Sequence, residues 1–512
     1  MPSKYVEKIL KARVYDVARE TPLDVAANLS RRLGVNLLLK REDLQPVFSF
    51  KIRGAHNRLS ALNEEERARG VIAASAGNHA QGVALSGRTL GICATIVMPE
   101  TTPAIKVQAV RNFGANVVLH GGSFDEARQH MEGMVESMGC VYVPPFDDPH
   151  VIAGQGTVAL EILRQRTEAL DAVFVPVGGG GLIAGIAAYI KSLWPEIKVI
   201  GVEPEDAPTL HAAMHAGQPV RLNQVGIFAD GVAVAEIGKE PFRIAHQCVD
   251  EVVLVNTDEI CAAIKDIFEE TRSIAEPAGA LAVAGVKKYV ATKGTQGATY
   301  VAIDSGANVN FDRLRHVAER AEIGEAREGL LAVTIPERKG SFHQFCETIG
   351  HRQVTEFNYR YSSDDEAHVF VGLELRNGVS DKDSLIDRLR RQDYRVADLT
   401  DNEVAKLHVR HMVGGHAPHV KDERLYRFEF PERPGALLRF LTHIGARWNI
   451  SLFHYRNHGA AYGRVLVGIQ VPVSDDDAFT EFLGELGYAH SRETGNEAYR
   501  LFLGTQGPLH YS

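Results

Sequence analysis

From residue 70 onward the chain alternates short apolar runs with glycine-bearing turns and helical stretches. The runs Gly70 to Ala74, Cys93 to Met98, Asn116 to His120, Cys140 to Val143, Ala172 to Val177, Lys198 to Val202, Glu251 to Val255 and Thr299 to Ile303 predict strands. Between them, apolar residues recur at helical spacing in Pro103 to Phe113, Phe124 to Met138 and Gly154 to Gln165. Several strands are apolar at every position, as strands covered by helices on both faces are. The alternation predicts an α/β fold of βαβ units with mostly parallel sheets in two lobes. Ligands of such sheets bind where strand ends meet helix N-termini.

Upstream, a strand over Asn36 to Lys40 leads through a loop with Pro46 into Ser49-Phe50-Lys51-Ile52-Arg53-Gly54-Ala55-His56-Asn57. Ile52, Ala55, Leu59 and Leu62 keep helical spacing, so Lys51 falls in or just before a first helical turn. Beyond about residue 325 the glycine motifs stop and the chain repeats itself. Leu331 to Gly340 matches Tyr426 to Gly435, Phe357-Asn358-Tyr359-Arg360 matches Phe453-His454-Tyr455-Arg456, and Val369 to Leu373 matches Val465 to Ile469. Each copy reads strand, turn, helix, two strands, helix and a possible last strand, a ferredoxin-like βαββαβ module. The polar stretch Thr400 to Lys421 reads as their connection. The expected domains are 1–325, 329–402 and 424–496.

At 512 residues the chain exceeds what one core organises. Its charge, 56 − 65 = −9, and the lack of a basic run argue against nucleic acid as a partner. Five scattered cysteines suggest reduced thiols rather than a disulfide scaffold or a metal site. Met1 to Arg13 alternates charge, and no apolar run reaches the length of a membrane span, so a cytoplasmic protein is expected.

The candidate chemistry lies at strand ends. Lys51, flanked by Phe48 and Phe50, is expected in an apolar surround that lowers its pKa and frees the amine to attack a carbonyl, as a Schiff-base lysine must. Ser75-Ala76-Gly77-Asn78-His79 follows a strand and offers helix N-terminal N–H groups to an anion, with Asn78 a neutral donor and acceptor. Gly178-Gly179-Gly180-Gly181-Leu182 joins a buried strand to the helix Ile183 to Leu193. It reads as a phosphate cradle lacking both the P-loop lysine and the dinucleotide spacing. Ser305, in Asp304-Ser305-Gly306-Ala307-Asn308, could donate to a ring nitrogen, and Glu276-Pro277-Ala278-Gly279-Ala280 opens a further helix. Each motif alone also reads as an ordinary turn or cap. Together they supply what pyridoxal phosphate needs: an amine, a phosphate anchor and partners for the ring.

On Ser49 to Ala55, Ser75 to His79, Gly178 to Leu182 and Ser305 to Asn308, the chain resembles the fold type II pyridoxal-phosphate enzymes, most closely the biosynthetic threonine dehydratases. The resemblance implies that Lys51 bonds to the cofactor and removes the substrate Cα proton. It implies that Asn78 contacts the ring hydroxyl, Gly178, Gly179, Gly180, Gly181 and Leu182 bind the phosphate, and Ser305 faces the pyridine nitrogen. The loop of Ser75, Ala76, Gly77, Asn78 and His79 would hold the substrate carboxylate. No metal is implied. The reaction implied is β-elimination of L-threonine to 2-oxobutanoate and ammonia, the first step of isoleucine biosynthesis. The repeat resembles paired ACT-like regulatory modules, implying inhibition by isoleucine opposed by valine, in a homotetramer. Phe357, Tyr359, Phe453 and Tyr455 are effector-site candidates on aromatic character alone. The rivals are a serine dehydratase, serine racemase or threonine synthase on the same scaffold, and a non-catalytic amino-acid sensor.

Overall fold

The computed structural model describes residues 3–311, 313–350, 352–361, 365–412, 414–431, 436–444, 447–456, 462–496, 499 and 502–503. It divides into two compact units, Met1–Ala321 and Glu322–Ser512.

In the first unit the expected strands build two sheets. The larger runs Leu23–Val25, Asn36–Arg41, Thr299–Asp304, Ala172–Pro176, Lys198–Pro204, Glu251–Val255, with the first pairing antiparallel and the rest parallel. The smaller is parallel throughout, in the order Asn116–Leu119, Ala94–Met98, Val71–Ala74, Val141–Tyr142. Val71–Ala74, Ala94–Met98 and Ala172–Pro176 are buried at every position, which is why they lack a polar face. The helix Phe124–Met138 has the expected bounds. The helix expected from Gly154 starts earlier, at Pro149. Asp148 caps it, accepting from the N–H groups of His150 and Val151 at 2.7 and 3.0 Å, and Pro149 sits where no N–H is needed. The cap precedes the apolar periodicity, so periodicity alone cut the helix short.

Lys51 opens the helix Lys51–Ser60, which packs against Asn78–Leu90 and Pro149–Gln165. The second contact needs two glycines. A Cβ on Gly54 would stand 2.8 Å from Val151 Cγ1, and one on Gly154 would stand 2.6 Å from the Arg53 carbonyl oxygen. Beneath the helix start lies a buried ion cluster. The Arg53 guanidinium pairs with Glu42 at 2.7 Å and Glu161 at 2.5 Å, and Lys40 pairs with Glu161 at 2.6 Å. All four side chains are fully buried, so they tie strand, turn and two helices together where water cannot compete.

The second unit is one eight-stranded sheet made of two βαββαβ modules. The first comprises Glu328–Pro336, helix Ser341–Ile349, Val354–Arg360, Glu366–Glu374, helix Val379–Arg390 and Arg395–Asp398. The second comprises Glu423–Pro431, helix Ala436–Ile444, Asn449–Arg456, Tyr462–Gln470, helix Asp476–Leu486 and His490–Arg492. Both last strands are present. The repeat turn Glu432 to Gly435 lies outside the described residues. Antiparallel pairing of Val354–Arg360 with Asn449–Arg456 joins the modules and sets Phe357 opposite Tyr455 and Tyr359 opposite Phe453. These four aromatics are buried in the module core. The connection, Thr400 to Lys421, carries a short helix, Glu403–Leu407, capped by Asn402. Among the described residues no helix is long and apolar enough to cross a membrane.

Candidate active site

A cavity of about 480 Å³ lies in the first unit. Lys51, Asn78, Gly178, Gly179, Gly180, Gly181, Leu182 and Ser305 all line it, although they come from four separate stretches of chain. Local pairing explains the convergence. Ser49 bridges Gly306, the Phe50 N–H donates to the Ser305 carbonyl at 3.3 Å, and the Ala307 N–H donates to the Phe48 carbonyl at 2.9 Å. The turn before Lys51 is thereby fastened to the strand end that carries Ser305.

Burial pushes the Lys51 amine down to about 8, with Glu276 pulling the other way. Its Nζ stands 5.2 Å from the centre of the Phe50 ring. Phe48, expected to help shield it, does not: its side chain is 55% exposed and its φ is +54°. The shielding comes instead from the packed helices and the glycine loop, which are distant in sequence.

The glycine loop is buried from Gly178 to Leu182. Gly180 has a φ of +86° and precedes the helix Gly181–Leu193. Among the described residues, the N–H groups of Gly178 to Leu182 have no protein acceptor. Consecutive buried N–H groups without acceptors are costly unless an anion takes them up. Ser305 is 3% exposed, and its hydroxyl makes one long bond, donating to the Ala278 carbonyl at 3.3 Å.

Of the loop expected to hold the substrate carboxylate, only Asn78 lines this cavity. Ser75 turns inward, accepting from the Gly77 N–H at 3.3 Å. The His79 ring is buried, with Nε2 2.9 Å from the Val143 carbonyl; burial, reinforced by Lys51, pushes it down to about 4. Its imidazole is therefore a neutral core group. Gly77, the N-cap of Asn78–Leu90, faces open space where a Cβ would stand.

Residues 14–306 match the family described as pyridoxal-phosphate dependent enzyme, and residues 319–409 and 414–503 each match the C-terminal regulatory domain of threonine dehydratase. The L-threonine dehydratase biosynthetic IlvA of Pasteurella multocida is 55% identical over 98% of both chains. Its namesake in Escherichia coli is 55% identical over 98% of this chain and 97% of its own. The solved processed form of threonine deaminase isoform 2 from Solanum lycopersicum is 52% identical, with a TM-score of 0.62, over 62% of this chain and 93% of that one. The chain belongs to the biosynthetic threonine dehydratases. As in the rest of that family, its cofactor is pyridoxal phosphate. The cavity fits that group: the unpaired N–H row suits a phosphate, and a half-buried amine of lowered pKa suits a carbonyl.

Sequence reading missed or undervalued part of this cavity's lining. Phe146, Gln155, Gly231 and Val232 also line the cavity. None carries a local signal, because each reaches it by tertiary packing. Glu276, noted only as a helix opening, is 3% exposed and lines the same cavity.

A second cavity, of about 360 Å³, lies in the regulatory unit between the two modules. Glu337, Arg338, Ser341 and Phe342 line it from the first module, and Ile444, Trp448 and Asn449 from the second. Glu337 accepts from the Tyr359 hydroxyl at 2.5 Å and from Asn449 Nδ2 at 3.1 Å. The Ser341 hydroxyl is buried with no partner. The aromatic candidates Phe357, Tyr359, Phe453 and Tyr455 do not line this cavity. They serve the core, and Tyr359 reaches the cavity only through Glu337.

Proposed function

We propose that this protein is a threonine ammonia-lyase that converts L-threonine to 2-oxobutanoate and ammonia for isoleucine biosynthesis, with Lys51 as its base. One observation carries the reading: a half-buried amine, an unpaired N–H row, Asn78 and Ser305 share one cavity. Bound pyridoxal phosphate supplies the electron sink for the charge left at the substrate Cα. Gly178 to Leu182 hold its phosphate through main-chain N–H groups, and Lys51 is its covalent anchor. With the substrate amine joined to that group, Lys51 would be free to act as the base for the Cα proton; burial, which lowers its amine to about 8, favours that role near neutral pH. Asn78 would donate to the ring oxygen, and Ser305 would stand toward the ring nitrogen. A neutral hydroxyl does not hold that nitrogen protonated as a carboxylate does, which favours expulsion of the β-hydroxyl over return of the proton. Ser75, Ala76, Gly77, Asn78 and His79 take the substrate carboxylate through N–H groups at the helix start. For His79 this role falls to its main chain.

The catalytic domain is 1–325, and the regulatory modules are 329–402 and 424–496. The second cavity takes a branched-chain amino acid. Glu337 and Arg338 offer opposite charges to an ammonium and a carboxylate, Ser341 offers a hydroxyl, and Ile444 and Trp448 face an aliphatic side chain. Isoleucine inhibits there and valine opposes it, each through unequal affinity for two enzyme states. The assembly is a cytoplasmic homotetramer. The test is 2-oxo acid formation from L-threonine and L-serine, with and without isoleucine, by wild type and Lys51→Ala. Threonine turnover suppressed by isoleucine and abolished in Lys51→Ala is the expected result. A Lys51→Ala variant retaining most of its rate would overturn the assignment.

A further inference from the structure

Asn78 sits in a one-way chain of hydrogen bonds. Asn308 Nδ2 donates to the Val47 carbonyl at 2.8 Å and to Asn78 Oδ1 at 2.6 Å. Asn78 Nδ2 donates in turn to Glu276 Oε1 at 2.6 Å. A main-chain carbonyl can only accept, so Val47 sets which way the Asn308 amide points, and Asn308 sets Asn78. One amide hydrogen of Asn78 is left for the cavity it lines. Glu276 closes the chain. Its residue begins the helix Pro277–Lys293, yet its carboxylate makes no capping bond there. It lines the cofactor cavity instead, near the Asn308 main-chain N–H. The reaction as derived above gives this buried carboxyl group nothing to do.

We infer that Glu276 is a positioning residue. With Asn308 it fixes the Asn78 amide as a donor toward the cofactor's ring oxygen, and it sets a negative charge against the Lys51 nitrogen. A donor at that point favours the ring oxygen as an anion rather than a hydroxyl. The charged groups facing Glu276 are Lys51, Asp230 on the turn Asp230–Val232, Lys106 on the helix Ala104–Asn112, and Asp304 at its strand end. Burial pushes Glu276 up to about 7, with Asp230 adding and Asn78, Lys106 and the Asn308 N–H opposing. Its charge is therefore present at the alkaline side of neutrality, where the Lys51 amine acts.

The inference rests on Lys51 as the cofactor-linking residue, and the experiment separates the two. Visible absorption of the holoenzyme is followed against pH for wild type, Glu276→Gln and Glu276→Asp. Glutamine keeps an acceptor for Asn78 but removes the charge. The midpoint of the Lys51-linked spectral change should fall by about one pH unit or more, and aspartate should restore much of it. An unmoved midpoint in Glu276→Gln, within about 0.2 units, overturns the inference alone. A wild-type holoenzyme without the Lys51-linked band overturns both readings. Asn308→Asp is an arm independent of the folding of either Glu276 variant, because it sets an acceptor against Asn78 Oδ1. It should weaken cofactor retention in equilibrium dialysis about tenfold; wild-type retention would refute the hydrogen-bond chain.

Discussion

Replacing Arg53 by methionine should destabilise the catalytic unit by about 3–5 kcal/mol. The guanidinium is fully buried and meets Glu42 at 2.7 and 2.8 Å and Glu161 at 2.5 and 2.9 Å. Methionine fills much of the volume but pairs with neither. Two buried carboxylates then face one cation, Lys40. Glu42 keeps the Thr21 hydroxyl at 2.6 Å and Gln45 at 3.1 Å, and Glu161 keeps the Tyr15 hydroxyl at 2.9 Å. Those donors place the cost near the lower end of the range, about 3 kcal/mol. Each unit holds one tryptophan, Trp194 or Trp448, so in a Trp448→Phe background the fluorescence of Trp194 reports the catalytic unit alone. With a urea dependence of about 3 kcal/mol/M, the midpoint should fall by roughly 1 M. The pH dependence supplies a second check. Burial alone raises the Glu42 pKa, but Arg53, Lys40 and the Thr21 hydroxyl together outweigh it and hold the carboxyl below its ordinary value. A group of this kind stabilises the fold above its unfolded pKa, about 4.3, and loses that contribution as pH falls. The deficit of Arg53→Met should therefore be largest at neutral pH and shrink toward acid. A midpoint shift below about 0.3 M, or a deficit growing as pH falls, would refute the reasoning.

Three further outcomes follow from the geometry. At Gly180, φ is +86° and a Cβ would meet Ile237 Cδ1 and Pro241 Cβ, both at 2.9 Å; Gly180→Ala should raise the cofactor dissociation constant about tenfold in equilibrium dialysis. Glu203, buried and pushed up to about 7, accepts from the Leu210 and His211 N–H groups at 2.7 and 2.9 Å. A raised carboxyl contributes stability below its unfolded pKa and loses it as pH rises through about 7. The apo thermal midpoint should accordingly fall between about pH 5 and 8, and fall less in Glu203→Gln; equal slopes would exclude this group as the cause. Ser341→Val removes a buried hydroxyl without a partner, so calorimetry should show the regulatory unit at least as stable as wild type. The isoleucine concentration for half-inhibition should nevertheless rise about tenfold, and unchanged inhibition would exclude the second cavity.

Read alone, the chain determined its fold class and picked out eight of the residues that line one cavity. Continuous apolar strands separated by helical spacing leave few alternatives to a parallel α/β unit, since each such strand must be covered on both faces. The four glycines, Asn78 and Ser305 were legible as cavity residues because glycine turns and polar strand ends are local devices, complete within a few residues. The repeat showed the two modules for the same reason. Tertiary structure decided what depends on distance. Phe48 stands beside Lys51 in sequence but points to solvent, while Phe146 and Val232 reach the cavity from far along the chain. His79 was expected in a substrate-holding loop, yet packing gives its ring to the Val143 carbonyl. Glu276 read as part of a helix opening and became the end of a buried hydrogen-bond chain from Val47. Burial sets the proton affinities of Lys51, His79, Glu203 and Glu276, and no local pattern reports which side chains will lose their water.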